Sequence, residues 1–446
     1  MRSNGKNHSK EAENVPGNDD CLMLAKKPLS LYIHIPFCVR KCLYCDFLSG
    51  QASEEEKEAY VKKLLEEMEY WKQVIWEKYF VRTVFLGGGT PTCLKPSQLL
   101  RIGRKLSEFP LGRQICGTEK EPDALQPIKL EEKNSIRQSC GLLEENTYRQ
   151  SYFEFTVEAN PGTLTKEKVQ VLKEIGVNRV SLGLQSAQEQ EIKALGRIHT
   201  YQDFLESFEL LRNYNFQNIN VDLMADIPKQ TVKSYQSTLS SVLALEPEHI
   251  SSYSLIVEEG TPFFKMQEEG ILLLPEEEID RKMYCMTQEM LSKKGYKRYE
   301  ISNYAKQGKE CRHNLTYWEM GEYLGIGLGA SSFFQGYRFS NMDRQREYLS
   351  LPVDNLQKDS KQLPKKDEME EYVFLGLRMR KGISLQDYKN RFGLEFKKCY
   401  QKILPFLFEN CLLAEDQNHG RIYLTDKGID VSNVVLAEFL LESVPE

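Results

Sequence analysis

The feature that most constrains the fold is a regular alternation of short apolar runs with amphipathic segments. Six runs rich in β-branched and aromatic residues begin at LSLYIHI (29–35) and end at HISSYSL (249–255). Strands that alternate with helices form βα units, and such units build a parallel sheet. The other four runs are 83–87, 153–159, 178–184 and 218–224, and helices are predicted at 54–78, 96–106, 165–175, 201–214 and 231–244.

Six βα units are too few to close an eight-fold barrel. The pattern therefore predicts an α/β fold built on an open, partial (β/α)6 barrel, with its site at the carboxyl ends of the strands.

The length of 446 residues allows two or three domains. We predict a mobile N-terminal tail at 1–28, the barrel at 29–262, a barrel extension at 263–363 and a smaller, winged-helix-like domain at 364–446. Helices followed by a short hairpin, CLLAEDQNHGRIYLT, indicate the last of these. Residues 112–151 are polar and lack periodicity, so we expect a disordered surface insertion within the barrel.

The net charge, the N-terminal sequence and the lengths of the apolar runs exclude some classes of protein. The net charge of -6 gives no basis for nucleic-acid binding. The N-terminus lacks the apolar core of a signal peptide and contains acidic residues, which argues against a transit peptide, and no run is long enough to span a membrane. We therefore expect a cytoplasmic protein whose eleven cysteines are reduced thiols or metal ligands.

The segment CVRKCLYC follows the first predicted strand and gives the spacing Cys38-x3-Cys42-x2-Cys45. Thiolates favour iron-sulfur clusters or zinc over hard cations. Three ligands leave one iron of a four-iron cluster open for chemistry, whereas structural zinc needs a fourth ligand, for which His34 and Asp46 are the nearest candidates. The spacing favours the cluster and leaves zinc as the alternative.

A second motif, GGGTPT (87–92), follows the second strand. Three glycines allow the backbone to approach a ligand closely and to expose unobstructed N–H groups. A tight strand-to-helix turn would explain the same glycines without any ligand.

The cysteine spacing resembles that of the radical S-adenosylmethionine (SAM) superfamily. The resemblance implies a [4Fe-4S] cluster on Cys38, Cys42 and Cys45, and SAM bound at its open iron. One electron from the cluster then splits SAM into methionine and a 5'-deoxyadenosyl radical. The family pattern also implies a set of SAM contacts, some of which have a purely structural alternative such as a core tyrosine or a solvated carboxylate. In this sequence they are Tyr32, Tyr44, Gly89, Thr90, Pro91, Glu158, Gln185, Arg197 and Asp222, with weaker matches at Ile256 and Ser331.

Within that superfamily, YIHIPFCVRKCLYCDF, VEANPGTL and NVDLMADIP resemble the branch related to coproporphyrinogen dehydrogenases. The branch contains oxygen-independent coproporphyrinogen III dehydrogenases and HemW-type haem chaperones. The dehydrogenases carry a further cysteine two residues beyond the third ligand, where this chain has Phe47. HNLTYW (313–318) is similar to the HNxxYW motif of the chaperones. Both features favour the chaperone group.

The chaperone resemblance implies haem as a third cofactor, with His313 as the candidate axial ligand. The alternative is a structural role, in which His313 holds a loop in place through hydrogen bonds while Tyr317 and Trp318 pack in the core. The implied partners are haem-accepting apoproteins and an electron donor. A homodimer, peripheral contact with membrane haemoproteins and SAM cleavage remain open, and dedicated oxidative decarboxylation of coproporphyrinogen III is the alternative function.

Overall fold

The computed structural model describes residues 26–112 and 153–444. Residues 113–151 of the predicted insertion and 1–25 of the predicted tail lie outside these ranges. The first strand begins at Lys27, inside the segment predicted as tail. No helix in the described ranges combines the length and the apolar character needed to cross a membrane.

The first half of the chain forms the predicted βα series, and each strand is close to its expected place. In chain order the elements are β1 (Lys27–Ile35), α1 (Glu54–Ile75), β2 (Tyr79–Gly88), α2 (Pro96–Ser107), β3 (Glu154–Ala159), α3 (Lys166–Glu174), β4 (Arg179–Gln185), α4 (Glu189–Ala194), α5 (Tyr201–Asn213), β5 (Ile219–Ala225), α6 (Val232–Leu243) and β6 (His249–Ser254).

The middle of the chain adds strands to both sides of this series. Its elements are α7 (Pro262–Glu268), α8 (Glu277–Lys293), β7 (Lys297–Arg298), β8 (Asn303–Ala305), α9 (Arg312–Trp318), β9 (Tyr323–Ile326), β10 (Ser331–Phe334), β11 (Tyr337–Asn341), α10 (Gln345–Ser350) and β12 (Gln357–Gln362).

All twelve strands belong to one sheet, in the order β12-β11-β10-β9-β1-β2-β3-β4-β5-β6-β8-β7. Strands β1 to β6 are parallel neighbours, and β9 pairs in parallel with β1. The outer strands are antiparallel. Because β1 and β6 pair with these additional strands and not with each other, the barrel is open, which confirms the predicted partial (β/α)6 architecture.

Burial follows from the sequence pattern of these strands. Every residue of β4 is buried, as expected for a central parallel strand covered on both faces. Helix α1 begins at a capping box in which Ser53 and Glu56 satisfy each other's backbone N–H groups. Its buried face includes Tyr60, Leu64 and Met68, which pack into the core of the sheet.

One buried carboxylate fastens the added strands to the barrel. Glu67 on α1 accepts hydrogen bonds from Tyr348 Oη at 2.6 Å, Asn341 Nδ2 at 2.6 Å and Gly327 N at 3.0 Å. Burial raises the pKa of Glu67 above its ordinary value. The three donors offset part of the cost of removing this side chain from water.

The C-terminal part has a hydrophobic core of its own, which includes Val373, Tyr388, Phe396 and Leu424. The predicted hairpin is present and is joined by a third strand, which the sequence did not reveal, in the order β13-β15-β14. Three strands with packed helices confirm the predicted winged-helix-like fold. The elements are α11 (Lys365–Arg378), β13 (Ile383–Ser384), α12 (Leu385–Phe392), α13 (Phe396–Cys399), α14 (Leu404–Glu409), β14 (Leu413–Asp416), β15 (Arg421–Leu424), α15 (Asp426–Asp430) and α16 (Ser432–Ala437).

Candidate active site and family

A cavity of about 380 Å³ lies at the carboxyl ends of the barrel strands, where parallel α/β folds place their sites. It brings together most of the residues that the sequence singled out. Those that line it are Cys38, Cys42, Tyr44, Cys45, Gly89, Glu158, Gln185, Arg197, Asp222 and Ile256. Tyr32, Thr90, Pro91, Ser331 and His313 do not line it.

The cysteine loop follows β1 and is held by backbone hydrogen bonds at both ends. Cys38 N donates to Gly50 O at 2.9 Å, and Leu43 N donates to Leu195 O at 3.0 Å. All three cysteines are partly exposed, reduced and directed to the same cavity. In the described ranges, however, no three His, Cys, Asp or Glu side chains stand close enough together to hold a metal ion.

Two hydrogen-bond donors lie beside the cysteine sulfurs. Thr90 Oγ1 is 3.6 Å from Cys38 Sγ, and Arg197 Nη1 is 3.8 Å from Cys42 Sγ. Burial raises the pKa of Cys42, while the adjacent guanidinium acts in the opposite direction. Positive charge next to a sulfur favours the thiolate, which is the form that ligates metal.

Arg197 connects several parts of the site. Its Nη1 donates to Tyr44 Oη at 3.1 Å, and its Nη2 donates to Gly183 O at 2.8 Å and to Asn160 Oδ1. The guanidinium therefore fixes the cysteine loop against the ends of β3 and β4. A planar fork of donors is suited to such a junction, and lysine could not reproduce it.

Three backbone N–H groups of the glycine motif have hydrogen-bond partners within the protein. Gly88 N donates to Glu158 Oε2 at 3.0 Å, Gly89 N to Ile35 O at 2.8 Å and Thr90 N to Phe37 O at 2.7 Å. The expectation of unobstructed N–H groups is therefore wrong. A Cβ at Gly89 would lie 2.7 Å from Phe37 O, so glycine is needed here for β2 to pack against the root of the cysteine loop.

Two carboxylates face the cavity. Burial and the neighbouring Asp222 raise the pKa of Glu158 to about 7. Burial also raises the pKa of Asp222, although Ser181 and Asn220 donate hydrogen bonds to it at 3.1 and 2.7 Å. Two acids that repel each other in a buried cavity create a preference for a cationic ligand. SAM carries both a sulfonium and an ammonium group, so the donor set fits it.

Sequence reasoning missed several polar residues at the same edge. Asn160 follows β3 and bridges Arg197 and Thr90, while Tyr253, near the end of β6, donates to Gln185 Oε1 at 3.3 Å. Gln185 has a positive φ of 70°, a strained conformation that is concentrated at functional sites. Their position at strand ends was the signal that could have identified Asn160 and Tyr253.

Tyr32 does not line the cavity, but it contacts a histidine that supports the cysteine loop. Its hydroxyl lies 2.9 Å from His34 Nδ1, and His34 Nε2 lies 2.8 Å from Leu48 O. The pair therefore joins β1 to the far side of the cysteine loop. Pro91 is buried at the start of a 3₁₀ turn, Pro91–Cys93.

His313 lies inside the barrel but does not line the cavity, because α9 packs against the middle of β2 and the first residue of β3. Its Nδ1 is 2.8 Å from Thr83 Oγ1, and its Nε2 is 2.7 Å from Tyr317 Oη. Glu154, the first residue of β3, accepts from His313 N at 3.0 Å. Burial lowers the pKa of His313 to about 3, so the ring is neutral. With both nitrogens engaged, haem ligation by His313 would require α9 to move and stays a prediction.

Comparison with known proteins agrees with the fold. The family model described as "Radical SAM superfamily" matches residues 32–242, and "HemN C-terminal domain" matches residues 363–431. A solved structure, coproporphyrinogen III oxidase (HemN) from Escherichia coli, superposes with a TM-score of 0.74 over 95% of this chain and 92% of that one. Its 19% identity shows the fold alone. Fold and site together define a radical SAM protein with a HemN-type C-terminal domain.

Curated relatives identify the family within this class. Heme chaperone HemW from Lactococcus lactis is 36% identical over 94% of this chain and its own full length. Heme chaperone HemW from Bacillus subtilis is 33% identical over 93% of this chain and 99% of its own. The chain belongs to the HemW family.

Proposed function

We propose that this protein is a haem chaperone that binds haem and transfers it to haem-dependent apoproteins, with a cluster and SAM in its barrel. The relatives named above are heme chaperones, and this chain matches them over nearly all of their length. The structural observation that carries the proposal is that Phe47 lines the radical SAM cavity, at the position where a dehydrogenase would have a further cysteine.

Phe47 lines the mouth of the cavity, and 59% of its surface is exposed. A phenyl ring at this position has no thiol that could contact a second SAM molecule or transfer a proton. It presents an apolar surface at the entrance. The chain therefore lacks, at this point, the thiol that the family pattern associates with decarboxylation of coproporphyrinogen.

For the barrel we propose that Cys38, Cys42 and Cys45 hold a [4Fe-4S] cluster and that SAM occupies the adjoining cavity. Arg197 and Thr90 stabilise the thiolate form of the ligands, and Glu158 with Asp222 attracts the cationic cofactor. When bound, the cluster supplies the electron for cleavage of SAM. Reduction of the cluster requires an external electron donor. We propose that the protein is located in the cytoplasm.

The test is a paired assay on full-length protein reconstituted without air. Haem-loaded protein is mixed with an apo-haemoprotein, and appearance of the acceptor's haem spectrum and activity is followed. The same preparation is incubated with coproporphyrinogen III, SAM and reductant. We expect haem transfer and no carbon dioxide release. Catalytic formation of protoporphyrinogen would instead establish the dehydrogenase, and failure to bind haem would remove the chaperone assignment.

A further inference from the structure

Two hollows border the cysteine loop in addition to the radical SAM cavity. One has a volume of about 40 Å³ and the other of about 500 Å³, and Val39 and Thr163 line both, so the two form one continuous surface. This surface is called the outer face below. We propose that the outer face is the docking surface of an acidic electron-carrier protein, an inference that rests on the cluster proposed above.

The outer face gives access to two of the cysteines that line the radical SAM cavity. Cys42 lines both that cavity and the smaller hollow, and Cys38 lines both the cavity and the larger hollow. Loops and the first turns of helices form most of the outer face, whereas Glu158, Gln185 and Asp222 on the barrel strands line the cavity. A protein on the outer face therefore approaches the cluster ligands without entering the space proposed for SAM.

The outer face is positively charged, although the chain as a whole has a net charge of -6. In the described part of the chain, no carboxylate lines either hollow. The cations that line them are Arg40, Lys57, Lys168 and Arg197. The radical SAM cavity differs, because its lining includes the carboxylates Asp46, Glu158, Asp222 and Glu258. Complementary charge steers association between proteins, so the outer face favours an acidic partner.

Two of these cations have no carboxylate partner among the described residues. Arg40 is exposed, and its guanidinium makes no hydrogen bond or ion pair there. Lys168 Nζ donates to Thr92 O at 2.5 Å and to Thr163 O at 3.0 Å, and neutral carbonyl groups do not cancel its charge. Lys57 differs, since it pairs with Glu54 at 2.8 Å. Arg40 and Lys168 therefore remain available to the carboxylates of a partner.

Exposed apolar side chains lie among the cations of the outer face. Val39 is 52% exposed and Ile198 is 56% exposed. An apolar centre with a charged rim is the usual composition of a protein–protein interface, and transient electron-transfer contacts are small. The described lining of the two hollows has no phenylalanine, tyrosine or tryptophan on which a nucleic-acid base could stack. These features favour a protein over a single-stranded nucleic acid.

The partner must be an electron carrier because the outer face lies against the cluster ligands. Electron transfer between two proteins slows steeply as the distance between their redox centres grows, and contact at Cys38 and Cys42 keeps that distance short. The step is a one-electron transfer in which no bond forms or breaks. The carrier is oxidised by one electron, and that electron reduces the cluster.

The test is a calorimetric titration of full-length protein, reconstituted without air, with an acidic flavodoxin in its oxidised form. Binding is measured at about 50 and about 300 mM salt, since salt screens charges on exposed surfaces. Cytochrome c, a basic electron carrier, is the probe of opposite charge. Iron content and far-UV circular dichroism check that each variant is loaded and folded.

The variants are Arg40→Glu and Ile198→Ser, both at exposed positions of the outer face. The matched controls are Arg104→Glu, at an exposed arginine in the last turn of α2, and Val434→Ser, at a valine with 66% exposure in the C-terminal part. A second measurement compares the rate of cluster reduction by flavodoxin hydroquinone with the rate of reduction by dithionite, which is too small to need a docking surface.

We expect the wild-type protein to bind flavodoxin more weakly at the higher salt concentration and to leave cytochrome c unbound. Arg40→Glu should weaken flavodoxin binding about tenfold, and Ile198→Ser should weaken it about fivefold. Both variants should slow reduction by flavodoxin and leave reduction by dithionite unchanged. The two control variants should match the wild type in every measurement.

Three results would overturn the docking surface. They are wild-type affinity for flavodoxin in both folded variants, equal binding of cytochrome c, and absence of flavodoxin binding by the wild-type protein. Each would leave the chaperone function standing, because haem transfer is measured separately on the same preparations. Failure of the wild-type protein to assemble a cluster would instead overturn the proposal for the barrel, and the docking surface with it.

Discussion

The imidazole Nδ1 of His313 lies 2.8 Å from Thr83 Oγ1, which ties the motif histidine to the second strand of the barrel. Thr83 Oγ1 donates in turn to Ser30 Oγ at 2.7 Å on the first strand. Thr316, one turn along the same helix, lies 2.8 Å from that serine. Four polar side chains thus fasten α9 to β1 and β2, which makes the histidine a structural residue in the described conformation.

Replacement of His313 by alanine should therefore lower the free energy of unfolding by about 2–4 kcal/mol, because two buried hydrogen bonds and a packed ring are lost. Haem affinity should stay within about twofold of wild type if both ring nitrogens of His313 stay engaged with Thr83 and Tyr317 when haem binds. Urea denaturation and haemin titration measure the two effects. His419→Ala, at an exposed histidine, is the control. A folded variant with haem affinity reduced tenfold or more would support axial ligation by His313.

Replacement of Cys38, Cys42 and Cys45 together by alanine should abolish cluster assembly, because the soft ligands of the iron are gone. Iron and sulfide content after anaerobic reconstitution, and the resonance signal of the reduced cluster, give the measurement. Cys285→Ala, at an exposed cysteine, should assemble a full cluster. Equal iron and sulfide in the triple variant and the wild type would refute the ligand assignment.

Glu158 should impose a pH dependence on stability. Its folded pKa of about 7 lies above the unfolded value near 4.5, so the folded state binds more protons between those values. Stability then falls as pH rises from about 4.5 to about 7, by roughly 2–3 kcal/mol. The difference between wild type and Glu158→Gln in urea denaturation across pH 4–8 isolates this contribution. Glu206→Gln, at an exposed carboxylate, should show no such difference, and a flat difference for Glu158→Gln would contradict the prediction.

Arg197→Lys should destabilise the site although the charge is kept. The ammonium cannot contact Cys42, Tyr44, Asn160 and Gly183 O together, so we expect a loss of about 2 kcal/mol in unfolding free energy. Lower iron content after reconstitution should accompany it. Arg346→Lys, on the exposed face of α10, provides the matched comparison. If Arg197→Lys has wild-type stability and iron content, the bridging role of the guanidinium is wrong.

Much of the barrel could be predicted from sequence because its signals are local. The apolar runs of β1 to β6 and the amphipathic helices between them have periodicities set by the backbone geometry of each element. The cysteine spacing likewise lies within eight residues. The family resemblance implied Glu158, Gln185 and Asp222 as site residues, and their places toward the carboxyl ends of parallel strands bring them to one cavity.

The features that the sequence did not reveal depend on contacts between distant segments. Strands β7 to β11 and β13 have only two to five residues, and pairing with a neighbour, not propensity, decides whether such segments become strands. The N–H groups of GGGTPT are engaged by partners more than fifty residues away in either direction, Ile35 and Phe37 before the motif and Glu158 after it.

The sequence by itself determined the order of the barrel elements, the thiol spacing and the family motifs, since each is written in neighbouring residues. Only the tertiary structure decided the direction of each motif side chain. His313 faces Thr83, 230 residues away, and the ring of Trp318 packs against Arg378, sixty residues later. Burial and hydrogen-bond completion select those orientations, and both are properties of the packed chain.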